Sequence, residues 1–135
     1  MISQSIDFNG NTGPFIQYTH ARIRSIIRKA KELKYDHKNK QSKDLNLHSK
    51  EISIIKLLHD YPEITKQAAE LLSPAIIANY TYELAREYNQ FYHDHYILGE
   101  ADKNVMNFRL VLTSAVGSII QKAMSLLGIE MPERM

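Results

Sequence analysis

Apolar residues recur every three or four positions along most of this chain, and this spacing constrains the fold more than any other feature. In the first such stretch, Ile16, Ile23, Ile27 and Ala30 fall on one face of an α-helix. No segment alternates convincingly between apolar and polar residues, as a half-buried strand would, and no repeat of about 20–50 residues is present. The sequence therefore predicts an all-α protein.

Turn and capping residues divide this pattern into helices. Pro14 and Pro74 favour a first helical turn, where the missing proline N–H would be unpaired anyway, and Ser73 is a typical N-cap. Pro62 predicts a helix break, and Gly128 predicts a left-handed stop. The predicted helices cover about residues 14–34, 49–59, 62–72, 74–95 and 101–127. We therefore expect a bundle of about five helices.

Two of these helices show a face that we expect to be buried. The apolar stripe of the fourth helix is aromatic and aliphatic: Ile77, Tyr80, Leu84, Tyr88 and Phe91. The stripe predicted for the second helix consists of Ile52, Ile55, Leu58 and His59. Both stripes follow the helical period of about 100° per residue.

Charge is unevenly distributed along the 135 residues. The segment from Arg22 to Lys50 holds ten Lys or Arg against three acids, whereas the remaining chain has a net charge of −5. Such a basic third favours a polyanionic partner, although a solvated basic helix and loop would have the same composition. Within it, Arg24, Arg28 and Lys29 are candidate phosphate contacts.

Composition also narrows the class of protein. The chain has no cysteine, which excludes disulfides and zinc–thiolate sites and permits a reducing cytoplasm, where we expect the protein to reside. No apolar run approaches the roughly 20 residues of a membrane span, so we expect no membrane partner. The length suits one domain, for which we expect residues 14–135, preceded by a linker at 1–13.

Aromatic and arginine side chains at helical spacing indicate a base-binding surface. Tyr18 and Arg22 lie four residues apart on one helix face, and Tyr92 and Tyr96 extend past the edge of the buried stripe on the fourth helix. Unpaired RNA bases stack on aromatic rings and guanidinium planes. Alternatively, Tyr18 packs into the bundle while Arg22 extends into water.

No constellation of catalytic or metal-ligating residues is evident in the sequence. His93 and His95 lie two residues apart and so do not share a helix face, and no third ligand follows at metal-site spacing. His20 is interpreted as a packing or hydrogen-bonding residue. With no phosphate loop and no supported Ser/His/Asp order, we expect no active site, no metal and no cofactor in this chain.

Three blocks of the sequence resemble, in the same order, the C-terminal DALR-type anticodon-binding domain of arginyl-tRNA synthetase, a class I aminoacyl-tRNA synthetase. The blocks are GNTGPFIQYTHARIRSIIRKA, LSPAIIANYTYELAREYNQFYHDH and LLGIEMPERM. The resemblance implies a helical bundle that binds the anticodon loop of arginine tRNA through Tyr18, Arg22, Tyr92, Tyr96 and Met135. The residues alone leave open whether the tail that ends at Met135 frays or tucks into a groove.

The resemblance also implies that catalysis and tRNA binding are carried out by different domains of one polypeptide. The HIGH-like and KMSK-like signatures are absent from these residues, so arginine, ATP and magnesium sites would lie in a catalytic domain of the same polypeptide, joined through the linker at 1–13. This chain alone would then bind tRNA and catalyse nothing. The family's Asp-Ala-Leu-Arg tetrapeptide falls at Lys103–Met106, and Gly117 stands where relatives often carry Arg, so we expect no contact of the family's arginines from those positions.

A helical protein-interaction domain is the rival interpretation. In that case the aromatic rim would fit a groove of a partner protein rather than RNA bases. A response of binding to salt would separate the two, since RNA binding weakens steeply as salt rises.

Overall fold

The computed structural model describes residues 12–33, 46–95, 97–100 and 102–135. The secondary structure of that part of the chain is four α-helices: α1 (Thr12–Glu32), α2 (Ser49–Glu70), α3 (Pro74–Asp94) and α4 (Lys103–Leu126). The predicted all-α class is confirmed. Helices α3 and α4 each pack against the other three, and α1 and α2 flank this central pair.

The helix count differs from the sequence prediction because Pro62 does not end a helix. It lies inside α2, which runs unbroken from Ser49 to Glu70. Proline removes the N–H that would bond to the carbonyl of Leu58. Packing on both sides holds the helix together at this point: Ile54 before the proline and Ala68 after it are buried. In addition, the Tyr80 hydroxyl of α3 donates to the Leu57 carbonyl.

The main core lies between the helices and is aliphatic and aromatic. All five residues of the stripe predicted on α3, from Ile77 to Phe91, are buried. The stripe predicted on α2 is wrong, since Ile52 and Ile55 are 41% and 37% exposed while Ile54 is fully buried. The reason is Glu51, only 2% exposed, which turns inward to pair with Arg109 of α4.

Close packing of α1 on α4 depends on Gly117. A Cβ atom at Gly117 would lie 2.7 Å from Cγ2 of Ile23, which is only 1% exposed. That separation is well inside the contact distance of about 3.5–4.0 Å between carbon atoms. The position that departs from the family resemblance is therefore a packing position, with no room for a larger side chain at the present helix spacing.

Local signals account for most of the helix ends. Pro14 and Pro74 lie in first turns, as predicted, and Asp102 caps α4 by accepting from the Asn104 N–H at 2.9 Å. Gly128 has φ +75°, which confirms the predicted left-handed stop after α4. Ser73 occupies the N-cap of α3 as predicted, but its side chain makes no capping hydrogen bond.

Residues 34–45 in the middle of the basic segment lie outside the described residues, as do residues 1–11 of the predicted linker. Among the helices that the structure describes, none has the length and apolar character needed to cross a membrane.

Candidate nucleic-acid interface

The guanidinium of Arg22 lies between two tyrosine rings at the junction of α1 and α3. Its central carbon is 5.0 Å from the ring centre of Tyr18 and 4.4 Å from that of Tyr92. Both distances are within the range of cation–π attraction. Tyr18 and Arg22 share a face of α1, as their spacing predicted, and the fold brings Tyr92 to them from α3.

A hydrogen-bond network fixes the orientation of this arginine. Nη1 of Arg22 donates to Oδ1 of Asn89 at 2.5 Å, and the side-chain amide of Asn89 donates to Oγ1 of Thr19 at 2.7 Å. Thr19 in turn donates to the Phe15 carbonyl at 2.9 Å. Asn89 and Thr19 are buried, so the bond between them is shielded from water. The guanidinium is thus held in place before any ligand arrives.

This arginine and its two tyrosines border an open cleft of about 510 Å³. Its lining combines aromatic, cationic and small side chains: Tyr18, Ala21, Arg22, Ser25, Ile26, Arg28, Tyr92, Arg134 and Met135. The volume is in the usual range for ligand sites in proteins. Tyr18 and Met135 are 50% and 70% exposed, so a ligand can reach both from solvent.

The tail after Gly128 lies along α1 and completes the cleft. The buried ring of His20 donates from Nδ1 to the Pro132 carbonyl at 2.8 Å, since a carbonyl can only accept. The Glu133 carboxylate pairs with Arg24 at 3.1 Å, and the Glu133 carbonyl accepts from Arg28 at 3.0 Å. The tail therefore docks, which the sequence left open, and His20 has the hydrogen-bonding role predicted for it.

The structure thus brings together most of the residues singled out in the sequence. Tyr18, Arg22, Tyr92 and Met135 meet at one cleft. Tyr96 lies outside the described residues. Of the candidate phosphate contacts, Arg24 and Arg28 bind the tail, and Lys29 is exposed on α1.

Sequence reasoning missed Asn89 and Arg134. Asn89 lies three residues before Tyr92 on α3, and a polar residue at the edge of a buried stripe was the available signal. Arg134 adds a third cationic side chain to the cleft beside Arg22 and Arg28. It precedes Met135 in a tail whose course the helical periodicity could not indicate.

A smaller cavity of about 380 Å³ shares Tyr92 and Ile26 with this cleft and is bordered by His93 and His95. The His95 ring lies 4.2 Å from that of His48, the residue that caps α2. Burial, with the nearby His48 and Arg109, lowers the pKa of His95 below its usual value. Over the residues that the structure describes, no three potential metal ligands come together.

Solved structures of synthetases contain the same bundle. The arginyl-tRNA synthetase of Thermus thermophilus superposes with a TM-score of 0.77 at 30% identity, covering 96% of this chain and 22% of that protein. A putative arginyl-tRNA synthetase from Campylobacter jejuni gives a TM-score of 0.78 at 27% identity, covering 98% of this chain and 28% of that one. The bundle therefore has the fold of a helical domain found in aminoacyl-tRNA synthetases.

Sequence comparison defines the family. The profile of the DALR anticodon binding domain matches residues 16–135, and the chain belongs to this family. It is 54% identical to the arginine–tRNA ligase of Parabacteroides distasonis over 132 residues, which is 98% of this chain and 22% of that relative. The chain thus spans about a fifth of this relative's length, and the family resemblance seen in the three sequence blocks is confirmed.

Proposed function

We propose that this chain binds the anticodon loop of arginine tRNA as the anticodon-binding domain of an arginine–tRNA ligase. The observation that carries the proposal is the Arg22 guanidinium held between Tyr18 and Tyr92 at the edge of an open cleft. Rings and guanidinium planes offer stacking surfaces to bases that a loop leaves unpaired.

The chemistry of the arginine anticodons fits such a cleft. Every arginine codon has G in its middle position, so each matching anticodon carries cytosine there, with an amino donor beside two acceptors. Arg22 and Arg134, which both line the cleft, would supply donors to the acceptors of that base. In the longer ligase, a catalytic domain would bind arginine, ATP and magnesium in the cytoplasm, and this domain would orient the tRNA.

The test is binding of a synthetic anticodon stem-loop with cytosine at the middle position, followed by fluorescence anisotropy. We expect Tyr92→Ala to weaken binding by about 1–3 kcal/mol, the cost of one lost base stack. The matched control is Tyr82→Ala, because Tyr82 packs on Phe15 with ring centres 5.7 Å apart and does not line the cleft. Equal losses for the two variants would contradict a role of the cleft.

Salt dependence separates this proposal from a protein-interaction domain. The affinity for the stem-loop should fall steeply between low and moderate salt, because bound phosphates release counterions. An apolar protein interface responds little to salt. If the stem-loop does not bind even at low salt, a protein-interaction domain becomes the better explanation of the cleft.

A further inference from the structure

One stripe of α1 is occupied by the tail rather than presented to solvent. His20, Arg24 and Arg28 are spaced four residues apart, so they lie along one helix face. All three bind the same short segment, His20 at Pro132 and the two arginines at Glu133. Side chains aligned in this way hold the segment parallel to the helix.

The tail residues on either side of the docked segment show what the docking does to the cleft. Ile129 and Met131 are partly buried against the main core, which fixes where the tail begins. Arg134 and Met135 follow Glu133 directly and line the same cleft as Tyr92. The position of this side of the cleft therefore depends on where Glu133 is held.

Resting on the proposed function, we infer that Glu133 is a positioning residue for RNA binding. With Arg24 and Arg28 it clamps the tail onto α1, so that Arg134 and Met135 form one wall of the cleft. Arg24, which does not line the cleft, acts on RNA through the tail instead of contacting a phosphate. An acidic residue thereby strengthens the binding of a polyanion.

The change in RNA affinity caused by Glu133→Gln has opposite directions for a positioning role of Glu133 and for a direct phosphate contact by Arg24. If Arg24 served a phosphate, the Glu133 carboxylate would compete with RNA for it, and Glu133→Gln would tighten binding. If Glu133 positions the tail, the same change loosens the wall and weakens binding, although the protein becomes more positive. The ion pair is partly exposed, with Arg24 at 36% and Glu133 at 58%, so its loss should cost about two- to fivefold in affinity.

Glu130→Gln is the matched control. Glu130 lies in the same tail, is exposed, and makes no ion pair within the described residues. Both variants change the net charge equally, so electrostatic attraction alone would affect them alike. Thermal unfolding of each variant checks that the bundle is intact.

Binding of the anticodon stem-loop is measured for both variants, together with the ¹⁵N heteronuclear NOE of the tail amides in the free protein. We expect Glu133→Gln to raise the Kd about two- to fivefold and to lower the NOE at Arg134 and Met135. Glu130→Gln should leave the NOE unchanged and the Kd equal or lower. An affinity of Glu133→Gln at or above that of Glu130→Gln would overturn the inference.

The two proposals fail in different ways. If the unsubstituted chain does not bind the stem-loop, the proposed function fails, while the NOE still reports whether Glu133 orders the tail. If the stem-loop binds and Glu133→Gln tightens it with an unchanged NOE, the positioning role alone is refuted.

Discussion

Replacement of Gly117 by alanine tests how tightly α1 and α4 are packed. The added Cβ would lie 2.7 Å from Cγ2 of Ile23 and 3.7 Å from its Cβ. A β-branched side chain in a helix is almost fixed at χ1, so Ile23 cannot turn Cγ2 away. The contact is therefore relieved only if the two helix backbones move apart.

Two opposing effects set the magnitude. Alanine in place of glycine inside a helix stabilises it by about 1 kcal/mol. Overpacking a well-filled core costs about 1–3 kcal/mol. Because Ile23 is 1% exposed and the contact lies between two packed helices, we expect the second effect to exceed the first. Gly117→Ala should lower the free energy of unfolding by about 1 kcal/mol.

Urea denaturation followed by circular dichroism measures this change, and two variants of Ile23 assign its cause. Ile23→Leu removes the Cγ2 branch, so Gly117→Ala should lose its cost in that background. Ile23→Val keeps both γ carbons, so the cost should persist there. Stabilisation of the otherwise unchanged protein by about 1 kcal/mol, the value of helix propensity alone, would refute the reasoning.

Three further outcomes follow from the structure. Pro62→Ala restores the N–H missing opposite the Leu58 carbonyl and should raise the free energy of unfolding by about 1–3 kcal/mol, so an unchanged thermal midpoint would count against it. Because the pKa of His95 is lowered from 6.5, the unfolded chain binds more protons below that pH. The free energy of unfolding should therefore fall as the pH drops below about 6.5. His95→Gln should make the free energy of unfolding, measured by urea denaturation, less dependent on pH in that range. Finally, Lys29→Gln should reduce the salt slope of stem-loop binding by about one unit while base preference stays the same, as a phosphate contact requires.

The buried face and the length of α2 could not be predicted from local sequence patterns. The predicted buried stripe on α2 and the predicted break at Pro62 were both wrong, and the stripe did not include the buried Glu51. Glu51 is buried because Arg109, 58 positions later, supplies the opposite charge. Such compensation involves residues distant in the chain, so no local pattern contains it.

The candidate site also has features that local spacing predicts and features that depend on how the helices pack. Tyr18 and Arg22 were recognisable as one face because helical spacing is local, and Tyr92 was placed correctly beyond the buried stripe of α3. That the guanidinium of Arg22 lies between both rings depends on how α1 packs against α3. The bond of Asn89 to Arg22 depends on the same packing, and the place of Arg134 depends on the docking of the tail on α1.

The amino-acid sequence by itself determined the all-α class, the core stripe on α3, the stop at Gly128 and the family, because each depends on neighbouring residues or on a linear motif. Only the tertiary structure decided that α2 continues through Pro62, and that the tail docks on His20, Arg24 and Arg28. Those outcomes depend on contacts between segments far apart in the chain, whose free energy outweighs local preference. The basic residues of α1 accordingly include two that hold the tail, a role that their charge alone does not reveal.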